Sequence, residues 1–160
     1  VRRRGYMLSS RWRVGAPLAR CWEVLADPEL TWPVWWPRLR TRDVAPVDGL
    51  VGSSATLLFR TPLGYALKVG LVVDEADPHR RVLVSATGDL VGTGDVALTA
   101  LAPERTQIAV VWDVRTTRRW MNATAPLLGG VFAASHARVM RAGERGLDAH
   151  LARTRVVTGT

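Results

Sequence analysis

The sequence holds one cysteine, Cys21, in 160 residues. That excludes an internal disulfide and any multi-cysteine zinc site. Lysine is almost as scarce, with Lys68 the only one among 22 basic residues. No apolar run approaches the ~20 residues of a membrane-spanning helix, so no integral membrane segment is expected. There are no internal repeats, no linker and no low-complexity run. Gly92-Thr93-Gly94 lacks the third glycine and the following helix of a dinucleotide loop, and no Gly-Lys-Ser/Thr occurs, so no cofactor is expected.

What is present fits one domain spanning 1–160, long enough for a real core. Apolar residues make up 48% and charged residues 22%, ordinary values for a globular protein. The net charge of +8 invites a nucleic-acid reading. The arginines are scattered along the whole chain, however, where a binding face would gather them on one helix or ribbon, so no nucleic-acid partner is expected. The opening Val1-Arg2-Arg3-Arg4-Gly5-Tyr6 is basic, but Arg11-Trp12-Arg13-Val14 alternates where a secretory signal would place its apolar core. This predicts a mature cytoplasmic protein.

Four of the seven tryptophans fall between Trp22 and Trp36, with Trp32, Trp35 and Trp36 set among Pro33 and Pro37. Each indole can bury about 150–250 Å² of mostly apolar surface, so the cluster predicts a lid or mouth over something apolar. Before it, Tyr6 to Val14 alternates as a strand ended by Gly15. Pro17 then opens a short helix whose Leu18, Trp22 and Leu25 share one face up to Asp27-Pro28.

From Leu39 onward the pattern is strand-like. Turn signals at Asp48-Gly49, Pro62-Leu63-Gly64, Asp77-Pro78, Gly88-Asp89 and Ala102-Pro103 space out an antiparallel meander. Parity sorts Tyr65, Leu67, Val69, Leu71 and Val73 inward against Lys68, and Ile108, Val110, Trp112, Val114 and Thr116 inward against Asp113 and Arg115. The strand from Leu90 puts Gly92 and Gly94 on the inner face, which calls for a bend or for room beside the covering element. That cover is a long amphipathic helix from about Trp120 to Arg153, with Pro126 in an early turn. Its stripe is Phe132, His136, Val139, Met140, Gly143, Leu147 and Leu151; Glu144 and Asp148 fall on the other side.

This order resembles the START/polyketide cyclase (SRPBCC) superfamily, the helix-grip fold. The resemblance covers almost the whole chain. It rests on Ala16-Pro17 to Asp27, Trp32-Pro33-Val34-Trp35-Trp36-Pro37, Gly88 to Gly94, Trp112-Asp113-Val114 and the helix from His136 to Leu147. The resemblance implies an α+β fold in which a seven-stranded antiparallel curved sheet wraps a long C-terminal helix, with two short helices after the first strand. It also implies an apolar cavity between sheet and helix.

Parity and stripe together give the candidate cavity residues: Tyr65, Leu67, Val69, Gly92, Gly94, Trp112, Val114, Phe132, His136, Val139 and Met140, with Trp32 or Trp36 near the mouth. The expected partner is a hydrophobic small molecule. His136 is the best candidate for a working residue, because it faces the sheet and titrates near neutrality. The competing reading is an ordinary buried imidazole bonded to one neighbour. In a cyclase or dehydratase, His136 or Tyr65 would move protons; in a carrier neither would. His136 and His150 stand some 20 Å apart on one helix and cannot share a metal, so no metal is expected. Ser135 and His136 point about 100° apart and cannot form a nucleophile–base pair. His79 is expected in an exposed turn, and Arg60 at a rim with Tyr65. Oligomeric state is left open, a dimer included.

Overall fold

The computed structural model describes residues 5–157; the basic stretch Val1 to Arg4 lies outside them. Strand β1 (Gly5–Val14) leads into helix α1 (Leu18–Leu25) and a 3-10 turn (Trp32–Val34). Six strands follow: β2 (Leu39–Ala45), β3 (Ser54–Arg60), β4 (Ala66–Asp77), β5 (Arg81–Gly88), β6 (Leu90–Ala102) and β7 (Arg105–Thr116). Helix α2 (Arg119–Val157) closes the chain. The sheet order is β1-β7-β6-β5-β4-β3-β2, antiparallel throughout. This is the helix-grip arrangement, with α2 covering the inner face. Among the described residues no helix is long and apolar enough to cross a membrane.

The alternation written into the strands decides which face is buried. Val69, Leu71 and Val73 on β4, and Ile108, Val110 and Val114 on β7, are buried in one core, while Lys68, Asp113 and Arg115 are exposed. Register shifts at Arg42/Ala45, Val73/Glu75 and Ala100/Ala102 mark bulges, which bend and twist the strands that carry them.

The glycines of β6 do not open space. A Cβ on Gly94 would stand 2.6 Å from Cζ3 of Trp112, its cross-strand partner, and 2.8 Å from Cγ2 of Val84. The volume gained there is filled by the Trp112 ring. Gly92 (φ +153°) lies so close to β7 that a Cβ would collide with the Asp113 carbonyl oxygen. A close side-chain neighbour at Gly94 and close backbone at Gly92, rather than room for a guest, account for the two glycines.

The tryptophan cluster packs into and against the core. Trp35 and Trp36 are buried, and their rings stack with centroids 5.6 Å apart. Trp36 meets Trp12 of β1 edge-on at 5.3 Å and donates its Nε1–H to the Val139 carbonyl at 3.1 Å. Opposite them α2 presents Gly143 and Gly146. A Cβ on Gly143 would lie 2.7 Å from Trp36 and 2.9 Å from Trp12, and one on Gly146 would strike the Trp35 carbonyl oxygen. The helix rests on this segment at two of its glycines, against the indole rings at Gly143 and the Trp35 backbone at Gly146.

Helix α2 carries the expected stripe, with Phe132, Met140, Gly143, Leu147 and Leu151 buried. Pro126 lies in an early turn of the helix, beyond its first, where its missing N–H leaves the Asn122 carbonyl without its usual donor. One feature departs from the sequence reading. Glu144 and Asp148 do not simply face water. They accept from the backbone N–H groups of Arg13 and Gly15, each at 2.8 Å, satisfying donors at the end of edge strand β1.

Candidate ligand cavity

Between the concave face of the sheet and α2 lies a cavity of about 190 Å³. It exceeds the ~150 Å³ apolar void that suffices to hold a benzene ring. Of the residues expected from the sequence, Trp32, Trp36, Tyr65, Leu67, Val69, Trp112, Val114, Phe132, His136, Val139 and Met140 line it, while Gly92 and Gly94 do not. Trp36 stands inside, wedged against α2, not at a rim. Arg60 is exposed and is not part of the lining.

The sequence reading missed Tyr6, Leu8 and Trp12 of β1, Trp22 and Leu25 of α1, and Leu57 and Phe59 of β3. For β1 the signal was present. Arg11 and Arg13 flank Trp12, and the same parity that sorted β4 and β7 places Tyr6, Leu8 and Trp12 inward. Leu30 and Leu50 also line the cavity, both from positive-φ backbone (49° and 73°), which is strained for a branched side chain.

Two rings of the wall, Tyr65 and Phe132, stand in mutual edge-to-face contact with Trp120, which is not part of the lining. Tyr65 lies 5.3 Å from Trp120 and 6.2 Å from Phe132, and Trp120 lies 5.9 Å from Phe132. Nearby, Arg118 ties the β5–β6 turn to the start of α2. It donates to the Asp89 carboxylate at 2.8 Å and to the Ala66 carbonyl at 2.9 Å. The hydrogen bond from Arg118 holds the Asp89 carboxyl below its ordinary range.

Polar groups on the cavity wall are few. The Asp27 carboxylate is occupied by Glu29 N, Thr31 N and Thr31 Oγ1. Thr61 Oγ1 donates to the Tyr65 carbonyl at 2.9 Å. His136 has no hydrogen-bond partner among the described residues, and burial pushes its pKa down, so the imidazole is neutral at pH 7. That differs from the buried imidazole tied to one neighbour. Ser135 Oγ, one residue earlier, is buried and unpaired.

The remaining chemical candidates lie elsewhere. His79 is exposed, its ring 5.7 Å from that of Trp22, and His150 is not part of the lining. Cys21 is fully buried, and burial raises its thiol pKa. Among the described residues no three His, Cys, Asp or Glu side chains converge to hold a metal ion. The arrangement can enclose an apolar molecule and offer it a neutral imidazole, hydroxyls and indole N–H groups.

No protein-family model and no curated protein matches the sequence. Solved structures do match. The Zhui aromatase/cyclase from Streptomyces sp. R1128 superposes with a TM-score of 0.76 at 20% identity, over 98% of this chain and 100% of that one. A START superfamily protein from Mycobacterium smegmatis gives 0.73 at 16% identity, over 92% and 98%. A protein from Thermus thermophilus gives 0.67 at 12% identity, over 91% and 99%.

Proposed function

Because the chain has the helix-grip fold of the START/polyketide cyclase superfamily, we propose that it binds a hydrophobic small molecule, aromatic or polyketide-like, between the sheet and α2. The observation that carries this reading is the wall of the cavity. Five indoles, Trp12, Trp22, Trp32, Trp36 and Trp112, share it with Phe59, Tyr65, Phe132 and a bed of aliphatic side chains. Burial against such a wall supplies affinity at about 25 cal/mol per Å², before the costs of association. His136 orients the ligand from α2, and Tyr65 does so from beside β4. Native mass spectrometry of the purified chain, with a thermal-shift screen of aromatic and polyketide-like compounds, tests it. A ligand that raises the melting temperature and is displaced by bulk at the wall, as in Val69→Trp, supports the reading. Failure of every compound to bind refutes it.

A second reading, cyclisation or dehydration of a bound polyketide, is favoured by His136. A neutral, unpartnered imidazole on the wall can take a proton from a bound carbon or hydroxyl acid and return it to a carbonyl oxygen. The enclosing wall would contribute by holding the chain folded. His136→Ala separates the two: binding survives in a carrier, and turnover is lost in an enzyme.

A further inference from the structure

The first half of α2 turns an apolar face to solvent. From Trp120 to Ala137 the sequence has no Asp, Glu, Lys or Arg, whereas Arg138, Arg141, Glu144, Arg145 and Asp148 crowd the turns that follow. Trp120, Thr124, Leu127, Val131, Ala134 and Arg138 recur at helical spacing and so share one stripe. Trp120 is 41% exposed, Leu127 87% and Val131 42%. Leu63, 51% exposed in the β3–β4 turn, extends the patch, since Leu63, Val131 and Arg138 line one surface groove. Large apolar side chains gathered in water mark a surface that meets another molecule or a membrane.

The rim of this patch carries charge of one sign. Arg60 ends β3, Arg119 opens α2 and Arg138 ends the stripe, and all three are exposed. Among the described residues no carboxylate pairs with any of them. No Asp or Glu occurs between Arg60 and Lys68, or between Arg115 and Gly143. Asp89, on the neighbouring β5–β6 turn, is already taken by Arg118.

Three kinds of partner would cover such a face, and its charges and shape choose among them. A second copy, related by a two-fold axis, would set unpaired arginines against their own kind. An acidic protein would need a shaped socket for Leu127, which stands almost free of its neighbours. A bilayer surface moulds to a protruding side chain, takes tryptophan at headgroup depth and offers phosphates to arginine.

We propose that this face docks on an anionic phospholipid bilayer. Leu63, Leu127 and Val131 enter the acyl boundary, Trp120 lies at headgroup depth, and Arg60, Arg119 and Arg138 meet lipid phosphates. The contact is peripheral, because no described helix is long and apolar enough to cross. It does not depend on what the cavity holds.

The test is flotation of the full chain with vesicles of phosphatidylcholine alone, or of phosphatidylcholine and phosphatidylglycerol in equal parts. Binding to the mixed vesicles is expected, about tenfold or more above the zwitterionic ones, and it should fall as salt rises. Leu127→Asp changes an exposed side chain, so folding is spared, and should weaken binding about tenfold. Val51→Asp makes the same charge change in the β2–β3 loop, at the other end of β3, and should shift binding by about twofold at most. Arg119→Ala and Arg138→Ala should each cost about fivefold on the mixed vesicles. Equal binding to both vesicles, or equal losses from Leu127→Asp and Val51→Asp, overturns the proposal. So does failure to float with the mixed vesicles, which would leave the face to an acidic protein. A dimer in sedimentation that Leu127→Asp dissociates overturns it in favour of a second copy.

Discussion

The Nε1–H of Trp36 donates to the carbonyl oxygen of Val139 across 3.1 Å, joining the segment before β2 to the middle of α2. Gly143, one turn further along, leaves the space into which the Trp36 and Trp12 rings fit. Alanine favours an exposed helix interior over glycine by about 1 kcal/mol, yet Gly143→Ala should destabilise the protein by ~1–3 kcal/mol, since the new methyl would press on two indoles. Gly130 meets nothing within 4 Å, so Gly130→Ala should stabilise by up to ~1 kcal/mol. Urea denaturation of the two variants should give shifts of opposite sign.

A pH titration of stability should register His136. Burial lowers its folded-state pKa below the ordinary value of 6.5, so the unfolded chain takes up the proton first. Its contribution is complete above pH 6.5 and is lost as the pH falls through that value toward the folded-state pKa. His150 shifts in the same direction, through burial and then the charges of Arg153 and Arg20. Urea midpoints should be flat from pH 8 to 7 and fall below about 6.5. His136→Phe should remove part of that fall, leaving the His150 share; an unchanged slope would show that the imidazole is not held neutral. Asp89 acts in a lower window, below the ordinary carboxylate pKa, and does not obscure this one.

Gly94→Ala should cost ~1–3 kcal/mol, because its Cβ would press on the Trp112 ring. Shortening the ring by the further change Trp112→Leu should recover part of the loss. A double-mutant cycle measures that coupling directly.

The amides of Arg13 and Gly15 donate to Glu144 and Asp148. In Glu144→Ala and Asp148→Ala, hydrogen exchange at the corresponding amide should quicken about tenfold, with roughly 1–2 kcal/mol lost overall. Exchange at Ile108 N–H, in the centre of the sheet, should follow only the global change.

Strand alternation made much of this architecture legible. Lys68 among Val69, Leu71 and Val73, and Asp113 between Trp112 and Val114, fixed which face of β4 and β7 is buried, and through it their share of the cavity wall. The tryptophan cluster was conspicuous, but its partition was not. Trp35 and Trp36 are adjacent, and only the tertiary fit against Gly143 and Gly146 puts one on the wall and the other off it. Gly92 and Gly94 show the same limit, since a missing side chain signals proximity without saying which neighbour comes close. Glu144 and Asp148 belong to the polar side of α2 by helical spacing. That an edge strand would present its amides to them depends on the order β1-β7, which sets the first strand beside the last and leaves it at the sheet edge.

Cys21 sits fully enclosed, with its thiol pKa raised, in a chain that has no second sulfhydryl. A maleimide or disulfide reagent can therefore reach sulfur only when the molecule opens. The labelling rate under native conditions becomes an internal clock for that opening, readable by mass without an engineered thiol. Any compound that occupies the interior should slow the clock in proportion to its grip.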